Sequence, residues 1–186
     1  LVSTYELGHQ PIGLAAPAAV LRAAGHEVRT LDLAVDTATP GVLLGVDLLA
    51  ISIPMHTAAR IGLEFARTAR AAAPNLTIAC YGMYASPLQA ELTGPDRANL
   101  VIGGEYEHGL LALAERVAGR TSADAGLPGV GATPLLVRQQ YPMPDRRGLP
   151  ILDRYARVRR ADGEHPAGYV EASRGCAHSC THCPIT

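Results

Sequence analysis

Three cysteines stand close together near the end of the 186-residue chain: Cys176, Cys180 and Cys183, spaced C-x3-C-x2-C. Thiolates are soft ligands that suit an iron–sulfur cluster, zinc or Cu(I). Three thiolates within eight residues match three corners of a cubane cluster and leave its fourth iron open. An open iron can bind a substrate or cofactor and pass an electron to it.

A structural zinc knuckle is the alternative interpretation, with His178 or His182 as the fourth ligand. Zinc sites usually draw ligand pairs from two separated segments, whereas both histidines lie inside the cysteine loop. The spacing therefore favours an iron–sulfur cluster. The alternative function is a non-catalytic α/β binding module that carries a structural zinc ion.

The composition is that of a globular protein, with 48% apolar and 18% charged residues. The net charge of −1 gives no basic excess for nucleic acid, and no apolar run approaches a membrane span. We therefore expect neither nucleic acid nor a membrane as a partner. We also expect a cytoplasmic location, where clustered cysteines indicate a metal site. All 16 basic residues are arginine, which excludes a catalytic lysine.

Short β-branched runs alternate with Ala-rich amphipathic stretches over residues 1–119. This alternation predicts an α/β fold, a Rossmann-like open parallel sheet with helices on both faces. The predicted strands are Leu1–Thr4, Glu27–Leu33, Asp47–Ile53, Leu76–Cys80 and Asn99–Ile102. The predicted helices are Ile12–Ala24, Val42–Val46, Thr57–Ala73, Ser86–Leu92 and Glu105–Ala118. Such sheets bind ligands at the carboxyl ends of their strands.

The second part of the chain is rich in Gly, Pro and Arg. Residues 120–165 are interpreted as an interdomain linker with one strand-like stretch, Pro134–Val137. Gly168–Ala172 is apolar and leads directly into the cysteines, so residues 166–186 are interpreted as the start of a second domain. The chain is interpreted as a fragment of a longer protein.

The segment Arg174-Gly175-Cys176-x3-Cys180-x2-Cys183 resembles the opening of radical S-adenosylmethionine (SAM) enzymes. The resemblance implies a [4Fe–4S] cluster on the three cysteines, after the first strand of a truncated partial barrel. SAM would bind the open iron, with His182 near its adenine. Reductive cleavage would give a 5′-deoxyadenosyl radical that modifies a small molecule or peptide. An electron donor such as flavodoxin or ferredoxin is implied, and the fragment alone should be inactive.

The first 119 residues resemble the cobalamin (B12) binding domain that precedes the barrel in many radical SAM proteins. The motif Val101–Glu107 (VIGGEYE) and the linker Pro142–Pro150 (PMPDRRGLP) are similar to segments of that family. The segment Ser3–Pro11 (STYELGHQP) also resembles a radical SAM subgroup named for its Cys/Sec-Cys-Ala-Glu-Pro tail (CUAEP/CCAEP).

The resemblance admits cobalamin as a further cofactor. The family's Asp-x-His-x-x-Gly motif is not matched around His9, although members without this histidine still bind cobalamin. Ser52 would lie near the nucleotide tail, and Tyr81 narrows a place where a Gly-Gly pair is common. The alternative is a domain that only docks onto the barrel or binds substrate. The implied cofactor-binding positions are Tyr5, Ser52, Gly82, Gly103, Gly104 and Glu105.

Three further residue types have mainly structural interpretations. His56 is interpreted as a helix-start residue, and Cys80 as a core residue of a buried strand. Glu105 and Glu107 begin a helix, where acidic side chains favour the helix dipole.

Overall fold

The computed structural model describes residues 1–39, 41–130 and 140–172 of the chain. A five-stranded parallel sheet forms its main body, with the strand order β2-β1-β3-β4-β5. The predicted open parallel α/β sheet is therefore confirmed. The order reverses between β1 and β3, and parallel sheets of this kind bind ligands at such a switch point. The strands are β1 (Val2–Ser3), β2 (Leu31–Asp32), β3 (Leu48–Ser52), β4 (Thr77–Tyr81) and β5 (Leu100–Ile102).

Helices cover both faces of the sheet. They are α1 (Ile12–Ala23), α2 (His56–Ala72), α3 (Gln89–Leu92) and α4 (Tyr106–Val117). Helices α1 and α4 pack against each other on one face, where Leu110 contacts the cluster that contains Ile102. Helices α2 and α3 supply Ala66 and Leu92 to the core on the other face, around Ile51.

Helix α2 approaches the sheet closely because its buried side is made of small residues. Ala58, Ala59, Gly62, Ala66 and Ala69 recur at helical spacing and are buried. A Cβ at Gly62 would lie 2.8 Å from Ile53 Cδ1, so a side chain there would force Ile53 to shift. The bulky aliphatic side chains of this face come from the strands.

The register of the sheet aligns equivalent positions of all five strands. The last residues of the strands form one row, called here the terminal row: Asp32, Ser3, Ser52, Tyr81 and Ile102. It faces helices α1 and α4, as the packing of its members in the α4 core indicates. The residues before them form the penultimate row, on the α2 face: Leu31, Val2, Ile51, Cys80 and Val101.

Several predicted elements are shorter or absent. The helix predicted at Val42–Val46 is wrong: the segment forms turns, since Gly41 and Gly45 have φ of +86° and +67°, outside the right-handed helical region. The strand predicted at Glu27–Leu33 is reduced to β2, because only β1 pairs with it. The helix predicted from Ser86 begins at Gln89 after a turn.

Residues 141–172 run along α1 and past β2 to the loops at the carboxyl ends of the strands, and are called here the strap. The strap contains a short 3-10 helix (Leu152–Arg154) and an antiparallel hairpin of β6 (Arg157–Arg160) and β7 (Gly163–Pro166). Gly168–Ala172, expected to begin the second domain, pairs with no strand among the described residues, and its Val170 is 80% exposed. Pro134–Val137 and the cysteine loop, with His182, lie outside the described residues.

Candidate functional site at the carboxyl edge of the sheet

Tyr81 fills the space between the sheet and helices α1 and α4. Its side chain is fully buried, and its hydroxyl donates a 2.7 Å hydrogen bond to the carbonyl of Gly13. Its ring lies against the ring of Tyr106, with 4.9 Å between the centroids. Gly13 lies in the first turn of α1 and Tyr106 begins α4. One side chain of the terminal row therefore connects the sheet to both helices.

Helix α1 lies close to the sheet at Gly13. A Cβ at this position would lie 2.7 Å from Ser52 Oγ and 3.0 Å from Glu6 Oε1. Real Cβ atoms do not approach other atoms so closely, so a side chain at position 13 would force Ser52 and Glu6 to shift. Ser52 is only 3% exposed. Its hydroxyl faces the start of α1. Ser52 is the last residue of β3, late in the third strand.

Glu6 is a buried acid at the start of α1 that the sequence reasoning did not select. The backbone N–H groups of Ile12 and Gly13 donate to its carboxyl group, which lowers its pKa. Burial outweighs them and, with the nearby carboxylates of Glu171 and Asp32, raises the pKa of Glu6 to about 8. The group is therefore mainly protonated at neutral pH. The available sequence signal was an acid shortly before a helix whose second residue is glycine.

Asp32, the terminal-row residue of β2, is covered by the strap. The hydroxyl of Tyr155 donates to Asp32 Oδ2 at 2.9 Å, and both side chains are buried. Burial raises the pKa of both groups, and the bond to Asp32 raises that of Tyr155 further. The next strap residue, Ala156, donates its N–H to the carbonyl of Gly8 at 2.8 Å. The strap thus attaches to the loops that follow β1 and β2.

Arg146 connects two parts of the strap with the loop after β1. Its guanidinium donates to Gln10 Oε1 and to the carbonyl of Tyr169, each at 2.7 Å. The ring of Tyr169 stacks on the ring of His9, with 5.4 Å between the centroids. His9 therefore contacts the strap. Cys176 follows Tyr169 by seven residues in the sequence.

Asp145 fixes the beginning of the strap on α1. Its N–H donates to the carbonyl of Ala15 at 2.8 Å, and its carboxylate pairs with Arg22 at 2.9 Å and with Arg147 at 2.5 Å. The Arg147 guanidinium is the main cause that lowers the pKa of Asp145. These contacts hold the Asp-Arg-Arg segment against helix α1.

The predicted cofactor-binding glycines lie at this carboxyl edge of the sheet, where they serve the path and packing of the backbone. Gly82 has a φ of +107°, and a Cβ there would lie 3.1 Å from the carbonyl oxygen of Ile53. The N–H of Gly103 donates to the carbonyl of Gly129 at 2.9 Å. Gly104 has a φ of +65°, which positions the turn into α4. Small residues here serve close packing of the backbone.

The two remaining predicted positions flank this group. Glu105 precedes α4, and its Oε2 accepts a hydrogen bond from the hydroxyl of Tyr141 in the strap. Tyr5 lies half-buried in the loop after β1. The structure thus gathers the predicted positions at the carboxyl edge.

These residues do not fit the nucleotide tail of cobalamin. The tail carries a flat aromatic base that would have to enter beside Ser52, between the sheet and α1. The ring of Tyr81 and the close contact at Gly13 fill that space.

Two further sequence interpretations are confirmed. Helix α2 begins at His56, which is exposed. Cys80 is fully buried, and burial raises the pKa of its thiol to about 12, so this thiol is a core group rather than a nucleophile. Among the described residues, no group of three or more His, Cys, Asp or Glu side chains could hold a metal ion.

A cavity of about 780 Å³ opens at the opposite, amino-terminal edge of the strands. Leu48, Phe65, Val117 and Arg29 are among its lining residues. The guanidinium of Arg29 already donates to the carbonyl of Leu44 at 2.7 Å. Arg22, which pairs with Asp145, also lines this cavity, whereas Tyr81, Ser52 and Glu6 are not among its lining residues.

The fold and the site define an α/β protein with an open parallel sheet whose carboxyl edge is covered by its own C-terminal segment. No protein-family model and no curated protein matches the chain. Among the helices that the structure describes, none combines the length and the apolar character needed to cross a membrane.

Proposed function

We propose that the chain belongs to a radical SAM enzyme and that Cys176, Cys180 and Cys183 hold a [4Fe–4S] cluster. The observation that carries the proposal is the C-x3-C-x2-C spacing directly after Arg174-Gly175. A preceding α/β domain with a parallel sheet agrees with it, although such folds serve many functions.

The donor set fits the proposed group, because three thiolates suit an iron–sulfur cluster. When bound, the cluster supplies the electron for reductive cleavage of SAM to methionine and a 5′-deoxyadenosyl radical. His182 is proposed to lie near the adenine. The substrate is a small molecule or a peptide, the electron donor is a flavodoxin or ferredoxin, and the enzyme is cytoplasmic.

The described residues support this proposal by the way they hold the chain ahead of the cysteines. Arg146 binds the carbonyl of Tyr169, and the ring of Tyr169 stacks on His9. Glu6 lies beneath this segment as a neutral acid, which limits its repulsion with Glu171. These contacts hold Tyr169, seven residues before Cys176 in the sequence, against the loop after β1.

Iron, sulfide and zinc analysis of the full-length protein, reconstituted without oxygen, tests the proposal. We expect about four irons and four sulfides per chain, and an electron paramagnetic resonance signal after dithionite that changes when SAM is added. Cys176→Ala should lose the signal. Cys80→Ala is the matched control and should keep it, because Cys80 is buried in the core.

The competing function is a binding module with a structural zinc ion, for which His178 and His182 supply candidate ligands. One zinc per chain without sulfide would establish that function and reject the enzyme. A cluster whose signal is blind to SAM would reject the SAM chemistry.

A further inference from the structure

We infer that Tyr81 is a permanent plug of the slot between the sheet and helices α1 and α4, and that this plug excludes cobalamin from the α/β domain. Tyr81 closes the slot whether or not the three cysteines hold a cluster. The domain then acts as a docking platform for its own strap instead of a cofactor carrier.

The ring of Tyr81 stands in the slot between the sheet and helices α1 and α4. Tyr81 stands in the terminal row between Ser52 and Ile102, so its side chain leaves the sheet at the carboxyl end of a central strand. From there it reaches α1 through Gly13 and α4 through Tyr106. An aromatic base that entered between the sheet and these helices would need the same volume.

Displacing the ring of Tyr81 from this slot would cost free energy. Its hydroxyl is buried and makes a hydrogen bond to Gly13, so displacement would break that bond and leave a buried carbonyl without it. Glycine at position 13 already brings α1 to within contact of Ser52 Oγ. Close-packed interiors do not open by small adjustments, so Tyr81 and α1 would have to move together.

Other segments of the chain cover the carboxyl edge of the sheet at β2 and at β5. Tyr155 closes the end of β2 through Asp32, and Gly129 closes the end of β5 through Gly103. A corrin ring laid across the strand ends would have to displace these segments. The chain therefore occupies both places that the cofactor needs, the slot and the surface above it.

Equilibrium dialysis of the 186-residue chain against methylcobalamin in the dark tests the exclusion. Methylcobalamin is the probe because its carbon-bound upper ligand does not exchange with the chain's thiols. We expect no retention by the wild type or by Tyr81→Phe, the matched control that keeps the ring. Stoichiometric retention by either protein would overturn the inference.

A cavity-rescue experiment tests the plug without cobalamin. In Tyr81→Ala the slot should be empty, and phenol, which has the shape of the removed ring and hydroxyl, should raise the thermal unfolding midpoint of this variant. The midpoints of the wild type and of Tyr81→Phe should not change. A midpoint of Tyr81→Ala that does not respond to the phenol would contradict a ring-shaped slot. If Tyr81→Ala does not fold, the dialysis of the wild type and of Tyr81→Phe still decides. Neither measurement reads the iron–sulfur cluster, so each outcome is separate from the proposed enzyme activity.

Discussion

The terminal row and the penultimate row of the sheet differ although they consist of neighbouring residues in the same five strands. The penultimate row, on the α2 face, is apolar: Leu31, Val2, Ile51, Cys80 and Val101. The terminal row, on the α1 and α4 face, is polar at four of five positions: Asp32, Ser3, Ser52, Tyr81 and Ile102. Both rows are inside the protein.

The difference shows how each side of the sheet obtains its packing. On the apolar side, small residues of α2 such as Ala66 let the helix lie close to the sheet. Contacts between apolar side chains have no fixed direction, so different arrangements of similar volume satisfy them. On the polar side, buried groups are costly unless they have partners. The hydrogen bonds of Tyr81 to Gly13 and of Asp32 to Tyr155 supply such partners. These directional bonds specify where α1 and the strap must lie.

Truncation of the terminal row at its largest residue should have the largest effect. We expect Tyr81→Ala to lower the free energy of unfolding by about 3–5 kcal/mol, as for other large buried aromatic residues. The matched change in the penultimate row, Cys80→Ala, removes a single sulfur atom and should cost much less. Urea unfolding of both variants measures the difference. Equal losses would mean that Tyr81 does not connect the sheet to the helices.

Loss of the strap's buried hydroxyl should have the next largest effect. Tyr155→Phe leaves Asp32 buried without this partner, and we expect a loss of about 1.5–3 kcal/mol in the free energy of unfolding. Tyr141→Phe is the control, since its hydroxyl also bonds a carboxylate, Glu105, but Tyr141 is 42% exposed. That control should change stability by a few tenths of a kcal/mol. A similar small change for Tyr155→Phe would mean that the strap does not depend on the terminal row.

Overpacking at the closest approach of α1 should cost somewhat less. We expect Gly13→Ala to destabilise the protein by about 1–3 kcal/mol, because its Cβ would collide with Ser52 Oγ. Ser52→Ala removes that oxygen, so the double variant should recover part of the loss. A double-mutant cycle measures this coupling. Strictly additive effects would place the contact elsewhere.

The sheet was predictable because its pattern is local. Apolar β-branched runs such as Asp47–Ile53 and helices with small residues on one side have periods that the sequence displays directly. The failures have specific causes. Val42–Val46 looks helical by composition, but Gly41 and Gly45 adopt positive φ.

The site was only partly predictable because its partners are distant in sequence. Ser52 and Gly82 were selected from a family resemblance, and they do lie at the carboxyl edge. Their actual neighbours, Gly13 and Ile53, follow from the register of the sheet and the position of α1. The strap lies far along the chain from Asp32, and periodicity carries no information on such a contact.

The pH dependence caused by Glu6 is the smallest expected effect, measured as the change in the free energy of unfolding per pH unit. It is also the clearest test of charge on the polar side of the sheet. Burial raises its pKa from 4.5 to about 8, with Glu171 and Asp32 adding to the shift and the N–H groups of Ile12 and Gly13 opposing it. Between these two values the folded state holds a proton that the unfolded chain has released. The free energy of unfolding should therefore fall as the pH rises from about 5 to 8, by at most about 1.4 kcal/mol per pH unit.

Glu6→Gln should remove this part of the pH dependence and raise stability at pH 8 relative to the wild type. Urea unfolding at a series of pH values measures both. Glu64→Gln, on the exposed side of α2, is the control and should leave the slope unchanged. If the Glu6→Gln slope equals that of the wild type, Glu6 is ionised in the folded protein. The polar side of the sheet would then hold a buried negative charge beneath the strap, and Arg146, which already binds Gln10 and Tyr169, would be the first residue to examine for its compensation.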